Sequence, residues 1–257
     1  MAGPYYPMMV DLHGRTALIV GGGPIAARKA EAIIKYGARV TIVAIVASDP
    51  VRAMAERGEV TLHERAFEDS DLDTPWMVFA ATNDRAVHEH IKEECERRRI
   101  WCNIVDVTDL CAFIVPSIIR RGELMVTIST DGMCPAYSKF QRKRMEQCCF
   151  FEGAERFMHV IAAARWELKG PLGEGLDDEE KFELLNSLIQ QGELHATMER
   201  DGVEAAKALA KQRIEEIVRQ PNGHNAPATN GACCGAGKGE RKTLLPGRLL
   251  RFFSRTK

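Results

Sequence analysis

Thr16-Ala17-Leu18-Ile19-Val20-Gly21-Gly22-Gly23-Pro24-Ile25-Ala26-Ala27-Arg28-Lys29 joins an apolar, partly β-branched run to three glycines and then to a good helix former. That order predicts a buried parallel strand, a tight turn and a helix whose N-terminus faces a phosphate. Gly21, Gly23 and Ala26 fit the G-x-G-x-x-G/A pattern. In that pattern the first glycine makes the turn, the second lets backbone approach a pyrophosphate, and the small third residue packs helix on strand. Pro24 falls where the first helical turn begins, a position that needs no amide donor. A tight strand–helix connection with no ligand is the plainer reading of such a turn when it stands alone; here the flanking strand and helix favour a dinucleotide.

Outward from this stretch, Met8–Leu12 is expected to form a short strand or to pack on the sheet. Helical character runs from Ala26 to Tyr36, with Gly37 placed to cap it, and Arg39–Val43 reads as a second buried strand. Strand, helix, strand in about thirty residues is the βαβ unit. A short helix over Pro50–Arg57, a strand over Val60–Arg65, an acidic connector from Glu68 to Asp73 and an apolar strand over Trp76–Ala81 follow. Thr82-Asn83-Asp84 then caps a helix running to about Arg98, and Ile100–Val105 is the next strand. The alternation predicts an α/β fold with a parallel, doubly wound sheet.

After Asp106 the pattern changes. Ala112–Ile119 and Leu124–Thr130 are β-rich runs joined by Arg120-Arg121-Gly122-Glu123, the pattern of an antiparallel hairpin. Pro116 inside the first run calls for an edge position or a bulge. Helical stretches are expected over Pro135–Cys149, Glu155–Leu168, Asp178–Gln191 and Val203–Arg219. Pro221–Lys238 has nothing to build a core and reads as a linker, before a short basic–apolar tail. The expected organisation is a dinucleotide-binding domain over 1–111, a hairpin and helix over 112–150, a helical domain over 151–220, and a linker and tail over 221–257.

The 257 residues carry a formal net charge of -1, which gives no reason to expect nucleic acid or an anionic membrane as partner. No apolar stretch approaches the roughly 20 residues a spanning helix needs, and the N-terminus lacks the basic and apolar regions of a secretion signal. Cytoplasm is the expected compartment. The eight cysteines include no C-x-x-C pair, so reduced thiols are expected rather than a structural zinc site.

Several of these motifs occur in a familiar order: Val20-Gly21-Gly22-Gly23, Ala26-x-Arg28-Lys29, Gly37-Ala38-x-Val40-Thr41, Ala80-Ala81-Thr82-Asn83-Asp84, Cys102-Asn103-Ile104-Val105-Asp106, Phe113-Ile114-Val115-Pro116-Ser117 and Ile128-Ser129-Thr130-Asp131-Gly132. Over about residues 10–150 they resemble the N-terminal module of sirohaem synthases and the stand-alone precorrin-2 dehydrogenases. The resemblance implies a Rossmann-like NAD-binding domain, then a dimerisation region and a helical domain. It also implies oxidation of precorrin-2 to sirohydrochlorin with NAD⁺ in a homodimer whose hairpin helps build the dimer. Some members then insert Fe²⁺, which stands here as a secondary activity. A non-catalytic dinucleotide- or tetrapyrrole-binding protein on the same fold is the alternative of a different class.

By the same resemblance, the glycines Gly21, Gly22 and Gly23 with the backbone of Pro24 and Ile25 meet the NAD phosphates, Ile45 and Val46 flank the adenosine end, and Thr82 lines the nicotinamide side; an ordinary helix N-cap is an equal reading of Thr82. No Asp or Glu ends the second strand, where Val43-Ala44-Ile45 stands, so the usual ribose acceptor is missing and backbone groups are expected to serve. Asp106, just past a strand end, is the candidate catalytic residue, since a carboxylate can take a proton as hydride leaves. Asp109 reads more simply as a turn residue. No metal ligand set is expected. Four departures from the family pattern stand out: no proline near Ile45, His88 in place of Asn, Asp131 in place of Gly, and Cys134 in place of Ser. Arg120, Arg121, Lys139, Arg142, Lys143 and Arg144 are basic residues that suit a polycarboxylate substrate or, more plainly, a solvated face.

Overall fold

A computed structural model describes residues 5–105, 107–147 and 153–219. The chain divides into two compact units. The first holds the large sheet, its helices and the helix that follows the hairpin; the second holds the remaining helices together with the hairpin tip, 120–124.

In the first unit, β1 (Thr16–Val20), β2 (Arg39–Ala44), β3 (Val60–Glu64), β4 (Met77–Ala80) and β5 (Trp101–Ile104) form one sheet in the order β3-β2-β1-β4-β5, every pair parallel. Helices α1 (Pro24–Ile34), α2 (Asp49–Glu56) and α3 (Arg85–Arg98) are the crossovers. Side chains alternate across the sheet, as period two requires. Ala17 and Ile19 join Ile42, Phe79 and the inner faces of α1 and α2 (Ala26, Ala30, Val51, Met54) on one side. Leu18 and Val20 join Val43, Val78, Ile104 and α3 (Ile91, Cys95) on the other. Both faces are thus covered, which is why the strands read as near-continuous apolar runs. Each fully buried Ile or Leu here contributes roughly 2 kcal/mol.

The chain winds from β1 to β3 in one direction and then returns to start β4 on the other side of β1. The junction between β1 and β4 is therefore the topological switch point, where such sheets bind ligands outside their carboxyl ends.

Element bounds differ from expectation by one or two residues in most places, and more around the hairpin. Of the two expectations for Met8–Leu12, packing on the sheet is the one observed: no strand forms, and Leu12 is buried in the core with Val10 against it. The hairpin consists of β6 (Ser117–Arg121) and β7 (Leu124–Ile128), so Arg120 and Arg121 are strand residues, and the turn is Gly122-Glu123 with Gly122 at φ +54°. Residues 112–116 stay out of the ladder. Pro116 has no amide to donate, and the segment is tied to β5 by Ala112 N donating to Cys102 O (2.8 Å) and Asn103 Nδ2 donating to Phe113 O (2.9 Å). Phe113 then stacks edge-on to Phe79. Helix α4 (Pro135–Glu146) closes this unit, its expected extension over Cys148 and Cys149 lying outside the described residues.

The second unit packs α5 (Ala154–Lys169), α6 (Asp178–Gln190), α7 (Glu193–Asp201) and α8 (Val203–Arg219). Its core is Val160, Ala164, Leu168, Leu188, Leu194, Met198, Ala206, Ala210 and Ile214. The alanines let the helices approach closely. Helix α7 was not expected from the sequence; Gly192 (φ +71°) and Gly202 (φ +92°) bracket it in the left-handed region. The linker and tail over 221–257, with Cys233 and Cys234, lie outside the described residues. Cys95, Cys102, Cys111 and Cys134 are free thiols.

Candidate functional site

Backbone hydrogen bonds carry the sheet just past its strand ends. Gly21 N donates to Val43 O (2.8 Å), Ala81 N to Val20 O (2.7 Å) and Val105 N to Ala80 O (2.9 Å). Gly21, Ala81 and Val105 therefore stand in a row along the carboxyl edge. Asp106 follows Val105 and itself lies outside the described residues.

The three glycines have three different reasons to be glycine. Gly21 has φ +116°, and a Cβ there would strike the carbonyl of Ala81 across the switch point. A Cβ on Gly22 would come within 2.5 Å of Val46 O and 2.8 Å of Ala44 Cβ, so the turn is pressed against the loop after β2. Ser48 N donates to Gly22 O (2.8 Å) and fastens that contact. Gly23 is different: its φ of -78° is ordinary and nothing lies within 4 Å of an added Cβ. It borders open space at the head of α1. Pro24 occupies the first turn, no acid stands in that turn, and Ala26 is fully buried against the sheet. First-turn amides have no helical acceptor and carry the positive end of the helix dipole, which suits a phosphate.

After β2, Ile45 and Val46 are 77% and 71% exposed, an unusual state for two consecutive β-branched residues. Below them Glu64, the last residue of β3 and the register partner of Ala44, accepts from Arg52 Nη2 (2.7 Å), Arg52 Nε (3.2 Å) and Ala47 N (3.3 Å). The bond from Arg52, and after it the one from the Ala47 amide, holds the Glu64 carboxyl below the usual carboxylate range. Ser48 Oγ is the single buried side-chain polar atom among the described residues that lacks a hydrogen-bond partner. A cradle closed to a Cβ at Gly21 and Gly22, open at Gly23, and floored by an exposed apolar pair is the shape a dinucleotide requires.

On the other side of the switch point, Asp84 rather than Thr82 caps α3, accepting from Ala86 N (2.9 Å) and Val87 N (3.3 Å). Thr82 Oγ1 instead accepts from Asp84 N (3.2 Å) and shares a hydrogen bond with His88 Nε2 (3.0 Å). His88 is only 6% exposed. In the sequence His88 stands out only as a departure from the family pattern, yet its spacing of one helical turn from Asp84 lets it turn back to Thr82.

Asn103 is buried and holds the segment after β5 through Phe113 O, while Cys111 Sγ accepts from Ile104 N (3.2 Å) and donates to Ile104 O (3.1 Å). These bonds tie the end of β5 to Cys111 and Phe113. Asp109 is exposed in a short 3₁₀ turn, Thr108–Leu110. Asp131 adopts φ +50°, a left-handed conformation that suits the glycine expected there, and Cys134 is exposed at the head of α4. Arg142 is ion-paired with Glu146 at 2.5 Å, while Lys139, Lys143 and Arg144 are exposed. In the second unit, His159 Nε2 lies 3.5 Å from Glu123 Oε2, with Glu155 close by, all three exposed.

Comparison with known proteins agrees with this geometry. Residues 8–117 match the family model described as "Putative NAD(P)-binding". The siroheme synthase of Escherichia coli O1:K1 is 42% identical over 142 residues, and that of Pseudoalteromonas atlantica 39% identical over the same length. Over those residues the chain is similar to the siroheme synthases. Each of those matches covers 55% of this chain and 31% of the siroheme synthase, so the chain spans about a third of the length of the curated relatives it matches. In fold it is similar to the solved structure titled "SirC, precorrin-2 dehydrogenase", with a TM-score of 0.63 at 24% identity, over 82% of this chain and 100% of that one. The family-model match spans the sheet that carries the glycine turn. Among the described residues no helix is long and apolar enough to cross a membrane.

Proposed function

We propose that the chain oxidises precorrin-2 to sirohydrochlorin with NAD⁺, the reading that the siroheme synthase relationship and the glycine cradle at the switch point support together. The observation that carries it is the cradle itself. Gly21 and Gly22 are closed against Ala81 and the β2 loop, Gly23 stands open at the head of α1, and the chain is 41% identical to a siroheme synthase over 142 residues.

Gly21, Gly22 and Gly23, with the backbone of Pro24 and Ile25, hold the pyrophosphate; Pro24 lacks an amide, so the donors are the amides of Gly23, Ile25 and Ala26. Ile45 and Val46 support the adenosine end, and Thr82, oriented by His88, faces the nicotinamide. NAD⁺ supplies the hydride acceptor. Asp106 takes the proton released as the tetrapyrrole gives up hydride, so that two electrons and one proton go to NADH and one proton to the carboxylate. What supports this role is that Asp106 follows β5 by two residues in the chain, and that Gly21 and Thr82 follow the neighbouring strands. Insertion of Fe²⁺ as a second substrate belongs to this proposal only as a following step.

The domain division at 111, 150 and 220 belongs to the same reading, as does a homodimer. Met133, Tyr137 and Phe140 are large apolar side chains exposed along α4 and its approach, a surface that a second copy would cover. Cytoplasmic work is the matching expectation.

The test is to mix the full chain with precorrin-2 and NAD⁺ and to follow NADH. NADH formation supports the enzyme; binding of both ligands with no NADH points to the carrier or sensor alternative, for which the changes at Ile45, His88 and Asp131–Cys134 are the motive. With Asp106→Ala, NAD⁺ affinity is expected to stay within about twofold while oxidation is lost by 10²-fold or more, about the worth of a general base. Equal loss of both counts against a proton-transfer role.

A further inference from the structure

A dinucleotide in this class of sheet sets its adenosine ribose at the end of β2, where an Asp or Glu normally takes the 2′-hydroxyl and an Arg nearby accommodates a 2′-phosphate. Here β2 ends Val43-Ala44 and continues Ile45-Val46, with no acid. The acid stands one strand over. Glu64 pairs in register with Ala44, and its carboxylate reaches back under the β2 loop to the amide of Ala47.

All of the hydrogen bonds that Glu64 accepts among the described residues fall on Oε1, which leaves Oε2 for another donor. The side chain is 43% exposed and can be reached. The same carboxylate engages Arg52 through both Nε and Nη2, and Arg52 is the basic side chain on α2 one turn beyond Ser48. Arg52 N donates to Ser48 O (3.0 Å), so the two residues share a helix face. An arginine there is what a 2′-phosphate would seek, and it is already neutralised.

We propose that Glu64 is the specificity-determining residue for the nucleotide: it accepts the adenosine ribose hydroxyl of NAD⁺ and, by holding Arg52, turns away the 2′-phosphate of NADP⁺. The expectation that backbone groups alone serve the ribose is replaced by a side chain from the neighbouring strand. The inference rests on the dinucleotide reading of the glycine turn.

The test is calorimetric titration of the full chain with NAD⁺ and with NADP⁺, without tetrapyrrole, for the wild type, Glu64→Gln and Arg52→Ala. The wild type is expected to prefer NAD⁺. Glu64→Gln is expected to weaken NAD⁺ and strengthen NADP⁺, moving their affinity ratio by about tenfold or more, as loss of one charged hydrogen bond and release of one guanidinium imply. Adding Arg52→Ala to Glu64→Gln should remove the gain in NADP⁺. Arg52→Ala alone leaves the carboxylate uncompensated and should widen the preference for NAD⁺, which keeps the proposal testable should Glu64→Gln fold poorly. A wild type without preference, or a ratio unchanged in Glu64→Gln or in Arg52→Ala, overturns it. A wild type that binds neither nucleotide defeats the dinucleotide reading itself, and this proposal with it.

Discussion

Thr82 Oγ1 and His88 Nε2 lie 3.0 Å apart, joining the residue just past β4 to the first turn of α3 beneath it. The ring is buried, so the bond fixes which way the Thr82 hydroxyl points at the edge of the switch point. Its removal should be felt in ligand binding as well as in stability. His88→Ala is expected to cost about 1–2 kcal/mol of stability and to weaken NAD⁺ severalfold. Thr82→Val should do the same to NAD⁺. In a double-mutant cycle read by NAD⁺ titration the two effects should be non-additive by more than about 0.5 kcal/mol; simple additivity would show that they act separately.

The glycines give a graded prediction. Gly21→Ala forces a left-handed residue into the Ala81 carbonyl and should destabilise by more than about 2 kcal/mol, seen as a lowered Tm. Gly23→Ala meets nothing and keeps an ordinary φ, so its Tm should stay within what about 0.5 kcal/mol allows. Its methyl nevertheless stands where a pyrophosphate must approach, so NAD⁺ affinity should fall. Unchanged affinity in folded Gly23→Ala would place the phosphates elsewhere.

Arg99 caps α3 at φ 59° with an exposed side chain. A side chain in that conformation costs roughly 1–2 kcal/mol, part of which glycine returns through its greater freedom in the unfolded chain. Arg99→Gly is therefore expected to raise stability by about 0.5–1 kcal/mol in urea unfolding. The site lies at the far end of the helix from His88, so nucleotide binding should not change.

Asp71 is nearly buried and accepts from Arg65 through both terminal nitrogens (2.5 and 2.9 Å) and from Glu68 N (2.9 Å). The Arg65 bond, more than the backbone bond, draws its carboxyl below the ordinary value of 3.8. A folded-state value below the unfolded one gives stability that is complete above the unfolded value and is lost as pH falls through the folded one. Asp71→Asn should thus cost about 2 kcal/mol near neutrality, and that deficit should shrink as the pH drops below 3.8. A deficit that does not change with acidification would mean the loss is steric.

The sheet was legible because both of its faces are buried: runs such as Leu18-Ile19-Val20 and Val78-Phe79-Ala80 announce themselves without alternation. The glycine turn was legible for the same local reason, since Gly21 and Ala26 answer to contacts with their immediate neighbours. What escaped was held by distant partners. Gly22 is glycine because of Val46 and Ala44, more than twenty residues on, and Glu64 matters only because strand order sets it beside Ala44. Residues 112–116 looked like strand by composition, yet Pro116 and the amide of Asn103 keep them out of the ladder. Helix α7 is short and lies between two left-handed glycines, and in the sequence those read as one more loop.

Hydride transfer from a reduced tetrapyrrole to NAD⁺ is the step on which the proposed function depends. The measurement that tests it most directly is a single turnover, with oxygen excluded, of precorrin-2 by an excess of the full chain with NAD⁺, following NADH and sirohydrochlorin together. NADH and sirohydrochlorin should rise at the same rate and in equal amounts, and both should vanish with Asp106→Ala while NAD⁺ still binds. Sirohydrochlorin appearing without NADH, or bound NAD⁺ and precorrin-2 that never react, would contradict it.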